Sequence, residues 1–185
     1  MADQRTTFDE LCELYTEWRD RISNYKHDSA KIVWRLAKEF RHYIGAPETI
    51  DESGKRYTFA LKVTRDAEGK IHYNEPEYST DVLNLDEDGY WSSAIVVVLD
   101  DVYAKTDFKF EIRFVLRGRQ CELHIGKEKD GKFEFNIDAA ESRKPAYEYM
   151  VRLLKKTFKR EPWSIPSKAP IGFRPPSPPK EPIED

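Results

Sequence analysis

Between Trp91 and Ile137 the chain alternates apolar and polar residues with a period of two. This alternation is typical of strands that bury one face of a sheet. Turn signals divide the stretch into four segments, at about residues 90–102, 107–116, 120–127 and 132–137. Because consecutive segments are joined by short connections, they predict an antiparallel meander against which the rest of the chain packs.

The hairpin signals indicate which residues lie opposite one another. Gly118 and Arg119 predict a two-residue hairpin loop, which places Arg113 opposite His124 on the neighbouring strand. A slip of one residue would move every side chain of a strand to the other face. The register therefore decides which side chains are buried.

The next turn predicts a three-residue loop that ends at Gly131, with this glycine in the left-handed conformation. Such a loop sets Ile125 opposite Phe135. It also brings Asn136 into the same cross-strand row as His124.

One face of the meander is predicted to be the core face. Its side chains are Val96, Val98, Val102, Phe108, Phe110, Ile112, Phe114, Cys121, Leu123, Ile125, Phe133, Phe135 and Ile137. The other face is mostly charged, but an apolar patch is predicted on it, formed by Ile95, Val97, Leu99 and Val115. Because a fully buried aliphatic side chain gains roughly 1.5–3 kcal/mol, we expect the last helix, the C-terminal tail or a second copy to cover this patch.

A helix is predicted near the start of the chain. Thr7 followed by Glu10 fits a capping box, in which each side chain bonds a free backbone amide. An apolar stripe follows at steps of three and four residues, formed by Phe8, Leu11, Leu14, Tyr15, Trp18, Ile22 and Tyr25. Such a stripe is typical of a helix whose apolar side faces the core. The helix is predicted to end near Asn24.

A second helix is predicted to begin at Asp28 or Ser29, either of which can cap it. Gly45, with Pro47 two residues later, is a stop signal. Because the connection between the two helices is so short, they are predicted to form a hairpin.

The end of the chain divides into a helix and a tail. Ser142 is predicted to cap a last helix that packs on the core face. Eight of the chain's eleven prolines fall after residue 161, which favours an extended segment. We therefore expect one domain over residues 1–161 and an extended or partly disordered tail over residues 162–185, with Trp163 and Phe173 docked on the domain.

The predicted fold class is α+β, with the N-terminal helix hairpin and the C-terminal helix packed on one face of a curved antiparallel meander. Two helices leading into a curved sheet resemble the nuclear transport factor 2-like architecture, although the long terminal helix departs from it. This resemblance is one of fold and assigns no function. A small-ligand pocket between the sheet and the hairpin is an alternative for function. Its candidate lining residues are Tyr15, Trp34, Tyr57 and Tyr73.

Composition favours a soluble chain in a reducing compartment. Of the 185 residues 35% are charged, well above the usual quarter, while the formal net charge is only -3. Cys12 and Cys121 fall at apolar positions, so we predict two reduced core thiols rather than a disulfide. The longest apolar run, from Ala94 to Leu99, is far shorter than a membrane helix needs. We expect a cytoplasmic protein without a membrane partner.

The sequence carries no strong catalytic signature. Glycine-rich phosphate loops, zinc-ligand spacings and a nucleophile elbow are all missing from it, and neither a cofactor nor a metal is expected. The sharpest candidate is His124 as a general base, flanked by Arg113 and Glu122 on the polar sheet face. Opposite charges across strands are equally an ordinary way to stabilise a sheet.

The last helix is basic, and this leaves a nucleic-acid partner open. Its positive side chains Arg152, Lys155, Lys156 and Lys159 are predicted to cluster on one side, where they could contact phosphates. The alternative is internal, because residues 75–88 hold six acids and no base. Oxygen ligands for calcium or magnesium could come from Asp100 with Asp101 and from Asp86, Glu87 and Asp88, but these residues lack the spacing of a calcium loop.

For function we favour a non-enzymatic bacterial protein–protein interaction factor, such as an immunity protein, an antitoxin or a chaperone-like accessory protein. The expected partner is another protein or a second copy. Its predicted binding residues are Ile95, Val97, Leu99, Val115, Trp163 and Phe173. A small-ligand-binding protein or enzyme with the pocket described above is the alternative, and nucleic-acid binding is the third.

Overall fold

The computed structural model describes residues 6–48, 57–100 and 105–159. Within these ranges the chain forms two α-helices and one antiparallel sheet of seven strands. The predicted α+β class is confirmed at this level. The predicted tail, with Trp163 and Phe173, lies outside the described residues.

The elements follow one another in a simple order. The helices are α1 (Thr7–Tyr43) and α2 (Lys144–Phe158). The strands are β1 (Thr58–Arg65), β2 (Ile71–Asn74), β3 (Asn84–Leu85), β4 (Trp91–Asp100), β5 (Lys105–Arg117), β6 (Gln120–Ile125) and β7 (Lys132–Asn136). Short 3-10 turns occupy Ser79–Val82, Lys129–Gly131 and Ala140–Arg143.

The sheet contains the predicted meander. Strands β4, β5, β6 and β7 pair consecutively, β1 adds to the free side of β4, and β2 pairs with β1 at the edge. The short strand β3 also pairs with β4. Strand β4 is therefore central in the sheet. Its apolar run is buried on both faces, because one face packs in the main core and the other in a smaller apolar cluster with β1.

The N-terminal helix hairpin is wrong, because α1 is one helix of 37 residues. The stretch between Thr7 and Ile44 contains neither glycine nor proline, so nothing in it breaks the backbone hydrogen bonds of a helix. Asp28 does not cap a second helix but pairs with Lys31 at 2.9 Å. Ser29 is buried in mid-helix. Among the described residues the hairpin on which the nuclear transport factor 2-like resemblance rested is therefore absent.

Both ends of α1 carry clear capping signals. The capping box consists of Thr6 and Asp9, one residue earlier than the predicted pair of Thr7 and Glu10. At the other end Gly45 adopts a φ of 69° directly after the helix, so the predicted stop is confirmed.

The main core lies between one face of the sheet and the two helices. Helix α1 contributes its second half, and Phe40 meets Phe110 edge to face at 5.9 Å. Helix α2 contributes Tyr147, Met150 and other side chains to the same cluster. The prediction that the last helix packs on the core face agrees with this arrangement.

The prediction of which side chains of β4 face the main core is wrong. Ile95 pairs with Phe110 and Val97 with Phe108, so both belong to the main core, where they are 1% and 0% exposed. Leu99 shares this face and packs against the core. Four residues, 101–104, connect the last paired residues of β4 and β5. Because this number is even, odd-numbered residues of β4 lie opposite even-numbered residues of β5, which puts Ile95 and Val97 on the same face as Phe110 and Phe108.

The opposite face of β4 carries Ala94 and Val96, which form a second, smaller apolar cluster with Leu61 and Val63 of β1. Of the four residues predicted as an exposed patch, only Val115 lies on this second face, opposite Glu122. The patch as a continuous surface is absent from the described residues.

The register of the β5–β6 hairpin agrees with the prediction, whereas that of the β6–β7 hairpin differs from it. The loop at Gly118 sets Arg113 opposite His124, as predicted. In the next hairpin His124 faces Lys132 and not Asn136, because β6 already ends at Ile125 and the connection is longer than three residues.

Two glycines shape this longer connection. Gly126, rather than Gly131, has the positive φ, at 69°. Gly131 is required for a different reason, since a Cβ there would collide with the carbonyl oxygen of Ile125. The predicted left-handed conformation of Gly131 is therefore wrong.

Candidate functional site

The first half of α1 projects from the body of the protein. Every residue from Thr7 to Asn24 is exposed, whereas from Ser29 onward the helix is buried along one side. We call residues 7–24 the arm. At 1.5 Å per residue the whole helix is about 55 Å long, of which the arm makes up about 27 Å.

Tyr25 marks the point where the arm leaves the body. Its ring contacts the ring of Trp91, with 5.8 Å between the centroids. Its hydroxyl accepts a hydrogen bond of 3.3 Å from the backbone N–H of Leu116. The helix is therefore anchored to the sheet directly after the end of the arm.

The arm carries a continuous row of large apolar side chains. Their exposed fractions are 72% for Phe8, 59% for Leu11, 57% for Leu14, 60% for Tyr15, 53% for Trp18 and 44% for Ile22. The sequence pattern assigned this stripe to the core, and that assignment is wrong. A contiguous exposed apolar row of this size is unusual on the surface of a monomeric protein.

Five of these side chains, together with Tyr25, repeat in alternating steps of three and four residues, which is the spacing of a coiled-coil seam. The members of this arm seam are Phe8, Leu11, Tyr15, Trp18, Ile22 and Tyr25. A repeat of 3.5 residues keeps such side chains on one line when two helices wrap around each other. Leu14 flanks the line and widens it.

The arm also has an asymmetric charge distribution. Residues 7–17 carry four acids, Asp9, Glu10, Glu13 and Glu17, and no base. Residues 18–26 carry three bases, Arg19, Arg21 and Lys26, and one acid, Asp20. The outer part of the arm is therefore negative and the part nearer the body positive.

The two cysteines lie in different environments. Cys12 is exposed on the arm, so its predicted place in the core is wrong. Cys121 is buried, as predicted, and burial raises the pKa of its thiol to about 12.

A signal for the arm is present in the sequence. The three- and four-residue steps continue from Tyr25 through the buried Ser29 to Ile32 and Leu36, where a hairpin would have shifted their phase. The pattern shows that the stripe needs a cover, but it does not show whether the same chain supplies that cover.

A charged network occupies the polar sheet face, where the candidate catalytic residues lie. Glu122 Oε1 lies 2.9 Å from His124 Nε2 and 3.1 Å from Lys132 Nζ. It also accepts a hydrogen bond of 3.0 Å from the hydroxyl of Tyr90. The hydrogen bonds to His124, Lys132 and Tyr90 lower the pKa of Glu122 to about 2.

Arg113 joins this network from the next strand. Its guanidinium donates to Asp86 and, at 2.6 Å, to Asp88, and it lies 4.3 Å from the ring centroid of Tyr90. Hydrogen bonding to Asp86 and Asp88 raises the pKa of Arg113. The acidic segment between β2 and β4 is thus fixed to the sheet by Arg113.

The structure therefore brings His124, Arg113 and Glu122 together, as the predicted register required. Each of the three already has a charged partner, which is the arrangement of a sheet-stabilising network. Among the described residues no group of three or more His, Cys, Asp or Glu side chains is placed to hold a metal ion.

The basic residues of α2 also come together. An open groove of about 610 Å³ is lined by Tyr43, Glu148, Val151, Arg152, Lys155, Lys156 and Lys159. Arg152 bonds Asp130 at 3.1 Å and lies 5.0 Å from the ring centroid of Tyr149. No ion pair forms between the three lysines and any residue that the structure describes.

The four aromatic residues proposed to line a ligand pocket do not meet. Tyr15 is on the exposed arm, and Tyr73 lies on the sheet face opposite the helices. Trp34 donates to the carbonyl of Ser79, while Tyr57 lines a separate groove of about 390 Å³ beside α2. The space between the sheet and α1 is filled by the main core.

Comparison of the chain with protein-family models, with curated proteins and with solved structures finds no match to any of them. In the described parts of the chain no helix combines the length and the apolar character needed to cross a membrane.

Proposed function

We propose that this chain is a non-enzymatic protein–protein interaction factor that binds its partner through the arm seam. The single observation that carries the proposal is the exposure of the row from Phe8 to Ile22 on a helix that leaves the body. This function fits the broad class of immunity, antitoxin or chaperone-like accessory proteins.

The physical cost of an uncovered arm supports the proposal. Isolated helices shorter than about 12–15 residues are marginal in water, and most helical stability in proteins comes from packing an apolar side. The arm has such a side but packs it on none of the described residues. A partner that covers the seam supplies the missing packing.

The recognition mode follows from the pattern. An amphipathic helix with anchors at steps of three and four residues binds either in an apolar groove or against another helix. Tyr15 and Trp18, whose ring centroids are 6.0 Å apart, form the aromatic centre of the seam. Aromatic side chains of this kind dominate binding energy at interfaces.

Site-specific photo-crosslinking in the native host tests this function. A photo-reactive phenylalanine analogue at position 18 should give a defined protein adduct. The same group at position 20, on the opposite side of the helix, is the matched control and should not. Absence of any adduct that depends on the position of the label would refute the proposal.

Nucleic-acid binding through the basic groove is the second candidate, because four basic side chains line one groove. We expect the double variant Lys155→Glu, Lys156→Glu to lose affinity for a mixed-sequence duplex, with a smaller salt dependence of the affinity than the unmodified protein shows. Equal, salt-independent binding by both proteins would refute this candidate.

A further inference from the structure

We infer that the occupant of the arm seam is a second copy of this chain, paired with the first in antiparallel orientation. The inference rests on the proposed function, since it identifies the partner of the same surface. It follows from the area of the seam, from its register and from the charge distribution along the arm.

The exposed seam is large enough for a dimer. An aromatic side chain offers about 150–250 Å² and an aliphatic one somewhat less. With the flanking Leu14 included, the exposed fractions of the six side chains from Phe8 to Ile22 leave on the order of 600 Å² of apolar surface per arm. Two arms together reach roughly 1,200 Å², the lower end of the range for stable interfaces. The seam is thus sufficient by itself, without contacts from the body.

The antiparallel register uses every member of the seam. If the two-fold axis passes midway between Tyr15 and Trp18, Tyr15 of each copy lies opposite Trp18 of the other. The next layer pairs Leu11 with Ile22, and Phe8 lies level with Tyr25, where the arm of the other copy meets its body. The arrangement is closed, because both copies use the same surface, and the contacts are repeated by a two-fold axis.

The charges decide the orientation. In the antiparallel pair the acidic residues 7–17 of one copy lie alongside the basic residues 18–26 of the other, at both ends of the interface. A parallel pair would place acids beside acids and bases beside bases. Complementary potentials fix orientation and suppress the wrong pairing.

Sedimentation equilibrium of the full chain tests the dimer. We expect a mass of twice 21.8 kDa for the unmodified protein. Trp18→Glu places a charge in the central layer and should give a monomer, whereas Asp20→Lys on the opposite side should remain a dimer. Because the arm lies outside the core, both variants should keep the slow hydrogen exchange of the buried sheet amides, which shows that the body stays folded.

Charge exchange tests the orientation. The double variant Glu10→Lys, Glu17→Lys should weaken the antiparallel dimer at least tenfold, since it sets bases against bases. Adding Arg19→Glu and Arg21→Glu to the same chain exchanges both signs and should restore the affinity. In a parallel dimer the glutamates at positions 10 and 17 already lie beside the same glutamates of the other copy, so the first variant would replace acid–acid contacts by base–base contacts. An unchanged affinity of the first variant would therefore overturn the proposed orientation.

The outcomes separate the inference from the proposed function. A monomer at every soluble concentration overturns the dimer. If the label at position 18 then captures a different protein, the interaction function stands and the second copy is not its partner. If the monomer gives no position-dependent adduct at all, both proposals fail.

Discussion

Glu39 and Arg143, 104 residues apart in the chain, form a bidentate ion pair in which Arg143 Nε and Nη2 donate to the two carboxylate oxygens of Glu39, each at 2.7 Å. The hydroxyl of Tyr147 donates to the same carboxylate at 2.7 Å. Arg143 Nη1 donates at 2.9 Å to the carbonyl of Ile137. This pair joins α1 to the start of α2 and to the end of β7.

The environment of the pair keeps it ionised. Burial opposes ionisation of Glu39, but hydrogen bonds from Arg143 and Tyr147 outweigh it and lower the pKa of the carboxyl. Arg143 is only 4% exposed. Removing either partner would therefore leave a charge with poor access to water.

Glu39→Ala should lower the free energy of unfolding by about 3 kcal/mol, because it leaves the buried guanidinium of Arg143 without its counter-ion. Urea denaturation at neutral pH measures this loss. Asp28→Ala is the matched control, since it removes an acid that pairs with Lys31 on the exposed side of the same helix. The control should change stability by less than about 0.5 kcal/mol, and an equal loss in both variants would contradict the buried role.

Glu122 should make the stability of the fold depend on acid pH. Its pKa is about 2 in the folded state against an ordinary value of 4.5, so its contribution is fully present above 4.5 and is lost as the pH falls toward 2. We expect Glu122→Gln to lose stability at neutral pH and to show a shallower decline between these two pH values. Denaturant unfolding across that range measures the slope, and parallel curves for the two proteins would contradict the lowered pKa.

Val97 and Val115 offer a test of the two sheet faces with identical chemistry. Val97 is fully buried in the main core, whereas Val115 is half-buried on the polar face. Val97→Ala should cost about 2 kcal/mol, because it leaves a cavity in close-packed surroundings. Val115→Ala should cost less than about 1 kcal/mol. Equal losses would support the face assignment made from the sequence.

The two thiols should differ in reactivity. Cys12 is exposed on the arm and Cys121 is buried, with its pKa raised to about 12. A maleimide should therefore modify one thiol per chain in the native protein and both after denaturation. Cys12→Ser is the control and should abolish the native reaction. Fast native labelling of this variant would mean that Cys121 is accessible.

Hydrogen exchange should report whether the arm is covered in solution. In the Trp18→Glu variant we expect the backbone amides of residues 11–24 to exchange much faster than those of residues 32–41, which belong to the buried half of α1. In the unmodified protein a bound seam should slow the exchange of the arm at least tenfold. Identical fast exchange in both proteins would show that nothing covers the seam.

The parts of the fold that the sequence predicted correctly depend on local chemistry. Gly118 permits a two-residue loop, and such a loop leaves only one register for Arg113 and His124. Gly45 stops α1 for an equally local reason, because it accepts the positive φ that follows the helix.

The incorrect predictions concern choices that local chemistry leaves open. Strand β4 is apolar on both faces, so its pattern could not show whether Ile95 or Val96 belongs to the main core. That choice depended on the length of the connection to β5. Asp28 and Ser29 resemble helix caps, but each can also occupy the middle of a helix when tertiary contacts favour continuity.

The candidate site was missed for a related reason. An amphipathic stripe indicates that one side of a helix must be covered, but it carries no information about which molecule covers it. Trp18 follows the same spacing as Leu36, although the first is exposed and the second is buried. Only the three-dimensional position of the sheet distinguishes the two halves of α1.

The unbroken course of α1 places the arm seam and the basic groove at opposite ends of one helix. Phe8 lies on the arm seam and Tyr43 lines the basic groove, and a rigid helix separates these two residues by about 50 Å. Under the two functions proposed above, the helix would hold a protein on the arm and a polyanion in the groove about 50 Å apart, so that neither would obstruct the other.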